Sequence, residues 1–135
     1  MAERVVIVHS LADARAAARA AAELGVPVTL ASAPGAAGTV GPLWFRELLD
    51  IVGGEYPGVD IGTVFDCADK PGFVLAALRS GLTRVRFTGR RSTAQRLAAI
   101  AAGYRAELIT GRLRALDLLD LADADEACRR WLARR

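Results

Sequence analysis

Histidine is nearly missing from this chain, which has one in 135 residues, His9, and lysine is as rare, with Lys70 alone against seventeen arginines. The two cysteines, Cys67 and Cys128, show neither Cys-x-x-Cys nor Cys/His spacing, so a zinc site or a disulfide framework is not expected. Aromatic residues make up only 6%, and most arginines alternate with apolar or acidic neighbours. That argues against nucleic acid, which calls for clustered basic side chains interleaved with stacking rings. No apolar run approaches the roughly 18 residues of a membrane span. The chain also lacks G-x-x-x-x-G-K-[ST], G-x-G-x-x-G after a strand, and G-x-S-x-G. With those absences go P-loop nucleotide chemistry, a dinucleotide cofactor and a serine-hydrolase elbow, and no cofactor or metal is expected.

What remains is apolar and regular. At 53% hydrophobic and 24% charged, the chain has the makings of one α/β domain with a single core. Met1-Ala2-Glu3-Arg4 runs straight into Val5–Val8, without the basic and long apolar segments of a secretion signal, so a cytoplasmic location is expected. The net charge of +3 rests almost wholly on arginine, a bias that GC-rich coding produces without selection for an anionic partner.

The segments that read as strands end on a beat of 22 residues: Ser10 and Ser32, then Asp66, Thr88 and Thr110. Three of these ends lie seven residues beyond Gly25, Gly81 and Gly103, and each glycine has alanine four and five positions upstream. Alternating βα units of this kind predict a parallel sheet, in which small alanines let each crossover helix lie close to the strands. The expected fold is about five parallel strands alternating with helices, either an open three-layer flavodoxin-like sheet or a half-barrel, closed by a C-terminal amphipathic helix.

Element by element, Arg4–Ser10 predicts a buried strand, and Leu11–Leu24 an alanine-rich helix ended by Gly25, with Asp13 able to cap its start. Val26–Ser32 is the second strand. The beat then breaks at the Gly-rich segment Ala33–Pro42, a loop long enough to serve as a lid, before a helix over Leu43–Val52. Gly53-Gly54 and Pro57-Gly58 mark a turn into the strand Val59–Asp66. Pro71 opens the third helix behind Asp69, and Leu82–Thr88, Ser92–Ala102 and Ala106–Thr110 supply strand, helix and strand. From Arg112 to Leu121 the pattern weakens. Asp123 and Glu126 then form a capping box for a last helix with Leu121, Ala124, Cys128, Trp131 and Leu132 on one face, which has to dock on this chain or on a second subunit.

A parallel sheet gathers its strand ends along one rim, where α/β folds place their ligands. Candidate residues there are His9, Ser10, Ser32, Asp66, Cys67, Asp69, Thr88 and Thr110. His9 can act as a base near neutral pH with Asp66 or Asp69 orienting it. A carboxylate closing an apolar strand, as Asp66 does, must be solvated, paired or used. Hydroxyls at such positions also serve simply as turn formers and helix caps. In Thr88-Gly89-Arg90-Arg91-Ser92-Thr93, glycine, two guanidinium groups and hydroxyls meet a helix start, whose free N–H groups and dipole favour a phosphate or carboxylate.

From Val5 to Gly89 the order of elements resembles the first half of 2-keto-3-deoxy-6-phosphogluconate aldolase-like (β/α) barrels. The likeness lies in Val5–Val8 leading into an Ala-rich helix, Leu24-Gly25-Val26, Gly62-Thr63-Val64, and Ala76–Gly81 leading to a strand that ends Thr88-Gly89. The family's catalytic residues are not matched: Leu30 stands where its glutamate would be, and Lys70 lies before a helix rather than on a sixth strand. The resemblance implies the architecture without the chemistry. An open half-barrel would leave strand edges to be covered by another chain, so a homo-oligomer meeting around Trp131 is expected. Three functions follow: a protein binding a small anionic metabolite, a small lyase or isomerase working through Asp66 and His9, or an assembly protein with no small-molecule site.

Overall fold

The computed structural model describes residues 3–38 and 40–134; Thr39, within the Gly-rich segment, and the two chain ends lie outside the described residues. The elements are β1 (Val5–Val8), α1 (Leu11–Leu24), β2 (Val28–Ser32), α2 (Pro42–Glu55), β3 (Ile61–Asp66), α3 (Pro71–Arg79), β4 (Arg84–Arg86), α4 (Arg91–Gly103), β5 (Glu107–Ile109), β6 (Ala115–Asp117) and α5 (Ala124–Ala133), with a short 3-10 turn at Ala36–Gly38. The architecture is α/β, with a parallel sheet of strand order β5-β4-β3-β2-β1-β6. β1 to β5 each lie beside the next in sequence, as successive barrel strands do, whereas a flavodoxin-like sheet places β1 between β2 and β3.

The chain divides into two compact units, each discontinuous in sequence. The first takes the residues up to Ala31, Leu48–Gly62 and those from Leu113 on. In it β1 pairs with β6, Val5 opposite Ala115 and Ile7 opposite Asp117, while the Thr29 N–H donates to the Arg4 carbonyl at 2.9 Å. α1 buries Ala14, Ala17, Ala18 and Ala21. Its cap is Ser10, whose Oγ accepts the Asp13 N–H at 3.1 Å. Gly25 at φ 66° ends the helix, as a left-handed position favours. α5 packs against α1. It is capped by Asp123, which accepts the Glu126 N–H at 3.0 Å. Cys128 and Leu132 are buried, and the Trp131 indole donates to the Val5 carbonyl at 3.0 Å. Of the two ways to satisfy the amphipathic face, docking within the chain is the one observed. The sequence does not lead one to expect β6, because three residues between Arg114 and Leu118 are too short to show a period. Pairing with β1 supplies its order.

The second unit comprises Ser32–Glu47 and Thr63–Arg112. Phe65 opposes Val85 and Asp66 opposes Arg86, while Val85 in turn opposes Leu108. Phe45 and Phe65 stack with ring centroids 5.5 Å apart inside it. Gly81 at φ 88° follows α3, as the glycine beat predicts. The third beat differs: Gly103 stays within α4 and the left-handed residue is Arg105 at φ 58°, because the Ala106 N–H reaches back to the Ala101 carbonyl at 2.9 Å. Ala98 and Ala99 are exposed, and α4 buries Ala94, Leu97 and Ala101 instead. Repetition in sequence here does not mean repetition of packing. Gly53-Gly54, read as a turn, also continues α2 to Glu55.

Candidate functional site

The second unit concentrates charge where β3 and β4 end. Asp66 and Arg86 are register partners on adjacent parallel strands, so their side chains leave the sheet on the same face. Asp66 Oδ2 accepts from Arg86 Nη1 at 2.9 Å. Its Oδ1 accepts from the Gly35 and Ala68 amides, each at 2.9 Å. The Asp66 main-chain N–H in turn donates to Ser32 Oγ at 2.8 Å. Asp66 is 5% exposed and Ser32 3%, so these contacts replace water rather than supplement it. Gly35 and Ala68 both have left-handed backbones, φ 72° and 51°, which turn their amides toward the carboxylate. For alanine that conformation is costly. Ala68 is held there by a bond on each side: its N–H on Asp66, and its carbonyl accepting the Thr88 N–H at 2.8 Å.

Arg86 carries the network onward, its Nε donating to the Gly111 carbonyl at 2.9 Å. The loops that follow β2, β3, β4 and β5 are therefore tied to one ion pair. Cys67, beside it, is fully buried, and burial together with the Asp66 charge pushes its thiol up to about 12. It is no nucleophile at neutral pH.

Three residues past Arg86 the chain turns into α4. A Cβ on Gly89 would fall 2.4 Å from Phe87 Cζ, a fully buried ring, so glycine is the residue this turn admits. Arg90 is the N-cap and makes no side-chain cap bond. The expected cap at Ser92 or Thr93 is not used, since both fall inside the helix. Arg90, Arg91 and Ser92 are exposed, and among the described residues no side chain pairs with either guanidinium. Thr88 and Thr110 are exposed as well, and Asp69 meets only Lys70, at 3.7 Å.

His9 and Ser10 belong to the first unit. His9 Nε2 lies 2.6 Å from Asp117 Oδ1, and the His9 N–H donates to Asp13 Oδ2 at 2.9 Å. Asp117 Oδ1 also receives the Leu119 amide at 2.9 Å. Burial pushes the Asp117 carboxyl up, but the Leu119 amide and His9 outweigh it and leave it below the usual range. The carboxylate beside His9 is thus Asp117, and the partners of Asp66 are Ser32, Gly35, Ala68 and Arg86. A cavity of about 1000 Å³ in this unit lies at the amino-terminal ends of β1 and β2, between Leu24, Val28 and Leu132.

Sequence reasoning missed Arg86 and Asp117. Arg86 had a signal, since it alternates with Val85 inside a predicted strand; Asp117, set between Leu116 and Leu118, had only its charge among apolar neighbours. Among the described residues no group of three or more histidine, cysteine and acidic side chains could hold a metal ion, and no helix is long and apolar enough to cross a membrane.

No family model and no curated protein matches the chain. Solved structures do. One is a "putative fructose-1,6-biphosphate aldolase" from Coccidioides immitis, at 19% identity and TM-score 0.60, over 77% of this chain and 37% of that one. Another is a "probable tagatose 6 phosphate kinase" from Sinorhizobium meliloti 1021, at 16% identity and TM-score 0.64, over 96% of this chain and 45% of that one. The chain spans less than half the length of either. At these identities the likeness is one of fold, and it supports an aldolase-like resemblance in that coarse sense.

Proposed function

We propose that the protein binds a small phosphate- or carboxylate-bearing metabolite where α4 begins, with Arg90, Arg91 and Ser92 holding the charge and Thr88, Gly89 and Thr110 around it. The observation that carries this reading is an α4 start with free amides, no side-chain cap, and two arginines lacking any acidic partner. Behind it, the Asp66–Arg86 pair makes the surrounding loops rigid, which lowers the entropy lost when a ligand is held. Ser32 serves here as the support of Asp66 rather than as a ligand contact. The names of the two structural neighbours refer to phosphorylated sugars, which accords with an anion of that class.

The test is a thermal-shift series with inorganic phosphate, fructose 1,6-bisphosphate, tagatose 6-phosphate and citrate. A ligand at a hundred times its Kd adds about 2.7 kcal/mol of stability and raises the Tm. The Arg90→Ala/Arg91→Ala double variant is expected to lose that shift while keeping the unliganded Tm. No shift with any of the four, or a shift untouched by the double variant, would refute the reading.

A second reading, a small lyase or isomerase, rests on His9, the sole imidazole, held by a carboxylate at 2.6 Å. For it, Asp66 is the less suitable partner, since that carboxylate already accepts three hydrogen bonds.

A further inference from the structure

We infer that His9 is a proton-accepting base whose working atom is Nδ1 and whose positioning carboxylate is Asp117. The inference rests on the lyase or isomerase reading and is independent of the anion seat.

The strands dictate the pairing. β1 and β6 are adjacent and parallel with Ile7 opposite Asp117, so the residue two places beyond Ile7 emerges beside the end of β6. A carboxylate only accepts, so the 2.6 Å contact puts the proton on Nε2 and leaves the lone pair on Nδ1. Neighbouring groups are engaged with one another. Asp117 Oδ1 is fixed by the Leu119 amide, the His9 amide by Asp13 Oδ2, and the Asp13 amide by Ser10 Oγ. Nδ1 has no hydrogen-bond partner among the described residues. The imidazole is 25% exposed, open to a small molecule yet fixed by its carboxylate.

Asp117 on β6 meets the ring itself, and Asp13 on α1 holds the main-chain amide of the same residue, so the imidazole is fixed at both ends by carboxylates. The hydroxyl next in sequence, Ser10 Oγ, is engaged as the α1 cap, and both cysteines are buried. A dyad with no nucleophile to activate acts on the substrate directly. The substrate class is an α-hydroxy carbonyl compound with a hydrogen on the hydroxyl-bearing carbon. Its C–H bond breaks, the proton goes to Nδ1 and the electron pair moves into an enediolate; the hydroxyl proton passes to the former carbonyl oxygen, and return of the proton from Nδ1 to the former carbonyl carbon completes an isomerisation. No oxidant, reductant or co-reactant enters.

A single histidine makes the test clean. Long-range proton–nitrogen spectra of the whole protein with the imidazole neutral are expected to show the Nε2–H tautomer. In Asp117→Ala, which removes the acceptor, that preference should be lost and Nδ1–H signals should appear beside it. A dominant Nδ1–H tautomer in the natural chain, or a preference unchanged in the variant, overturns the positioning role. For the base itself, dihydroxyacetone and its phosphate are incubated with protein in deuterium oxide, and loss of the α C–H signal is followed. Exchange above buffer is expected, falling about a hundredfold in His9→Gln. No exchange with either probe, or exchange unchanged in that variant, overturns the proposal. Exchange without a phosphate-dependent thermal shift would leave the base standing and tell against the anion seat; a phosphate-dependent thermal shift without exchange would do the reverse.

Discussion

Asp66 and Asp117 do the same thing in sequence, since each ends a short parallel strand with a carboxylate, and opposite things in structure. The Asp66 side chain is 8% exposed and meets Arg86 at 19%, whereas the Asp117 side chain is 45% exposed and meets His9 at 25%. The first carboxylate is surrounded by donors from two loops and from β4 and is a structural hub. The second has one amide and one imidazole, and the second nitrogen of that imidazole is open. Burial decides which role a strand-end acid takes: desolvation forces full pairing, and full pairing leaves no vacancy for chemistry.

The sharpest way to break this contrast is Asp66→Asn. The amide cannot serve both sides. If its NH2 faces Arg86, donor meets donor; if it faces the Gly35 and Ala68 amides, two donors are orphaned instead. Breaking a buried pair leaves an uncompensated charge, so a loss of about 3 kcal/mol is expected in urea unfolding. Cys67 reports the same event, because its thiol, pushed up to about 12, is inert to alkylation in the native state and should become reactive as the loops open. A loss under about 0.5 kcal/mol, the ordinary value for a surface site, would erase the distinction between the two acids.

Arg86→Met follows in size. It removes the guanidinium but leaves the carboxylate its two amides and replaces the arginine stem with an apolar one, so about 2 kcal/mol is expected, less than for Asp66→Asn. The order of the two variants carries the argument: were Arg86→Met the costlier, the amides of Gly35 and Ala68 would be spectators. In the first unit, Ser10→Ala removes the α1 cap and should cost about 1 kcal/mol by the same unfolding measurement. Because the Asp13 amide it frees lies beside Asp13 Oδ2, which fixes the His9 amide, this variant also loosens the mount of the imidazole.

How far these roles were legible follows from what each depends on. α1 over Leu11–Leu24, Pro71 opening α3 and the Asp123 cap were readable because helix signals are local: alanine content, a proline at the first turn, an acid three residues before Glu126. The parallel sheet was readable from the beat. Asp66 could be singled out as a polar end to an apolar strand, but not its partners, since Arg86 is set by strand register and Ala68 by a left-handed backbone that no residue type announces. The sequence suggests Asp66 or Asp69 as the carboxylate that orients His9, whereas the one that meets it is Asp117, for the same reason. Asp117 lies 108 residues away, on a strand of three residues whose existence depends on β1. Arg90 and Arg91 were legible as charge, whereas the lack of a cap at Ser92 needed the helix start itself.

The smallest effect separates the two acids by pH. Asp117→Asn keeps an oxygen for the Leu119 amide and loses only the charge beside an exposed imidazole, so at neutral pH it should cost under about 0.5 kcal/mol. Folding lowers the Asp117 pKa, so as pH falls the unfolded chain takes up this proton before the folded one does. The contribution is therefore complete above the unfolded value of about 3.9 and fades as pH drops through the lower folded value. Urea midpoints of the natural chain and the variant should differ slightly near neutrality and converge under strong acid. A gap that stays constant or widens on acidification would mean that the Asp117 charge does not stabilise the fold through His9 and the Leu119 amide. The carboxylate could not then be what orients the imidazole.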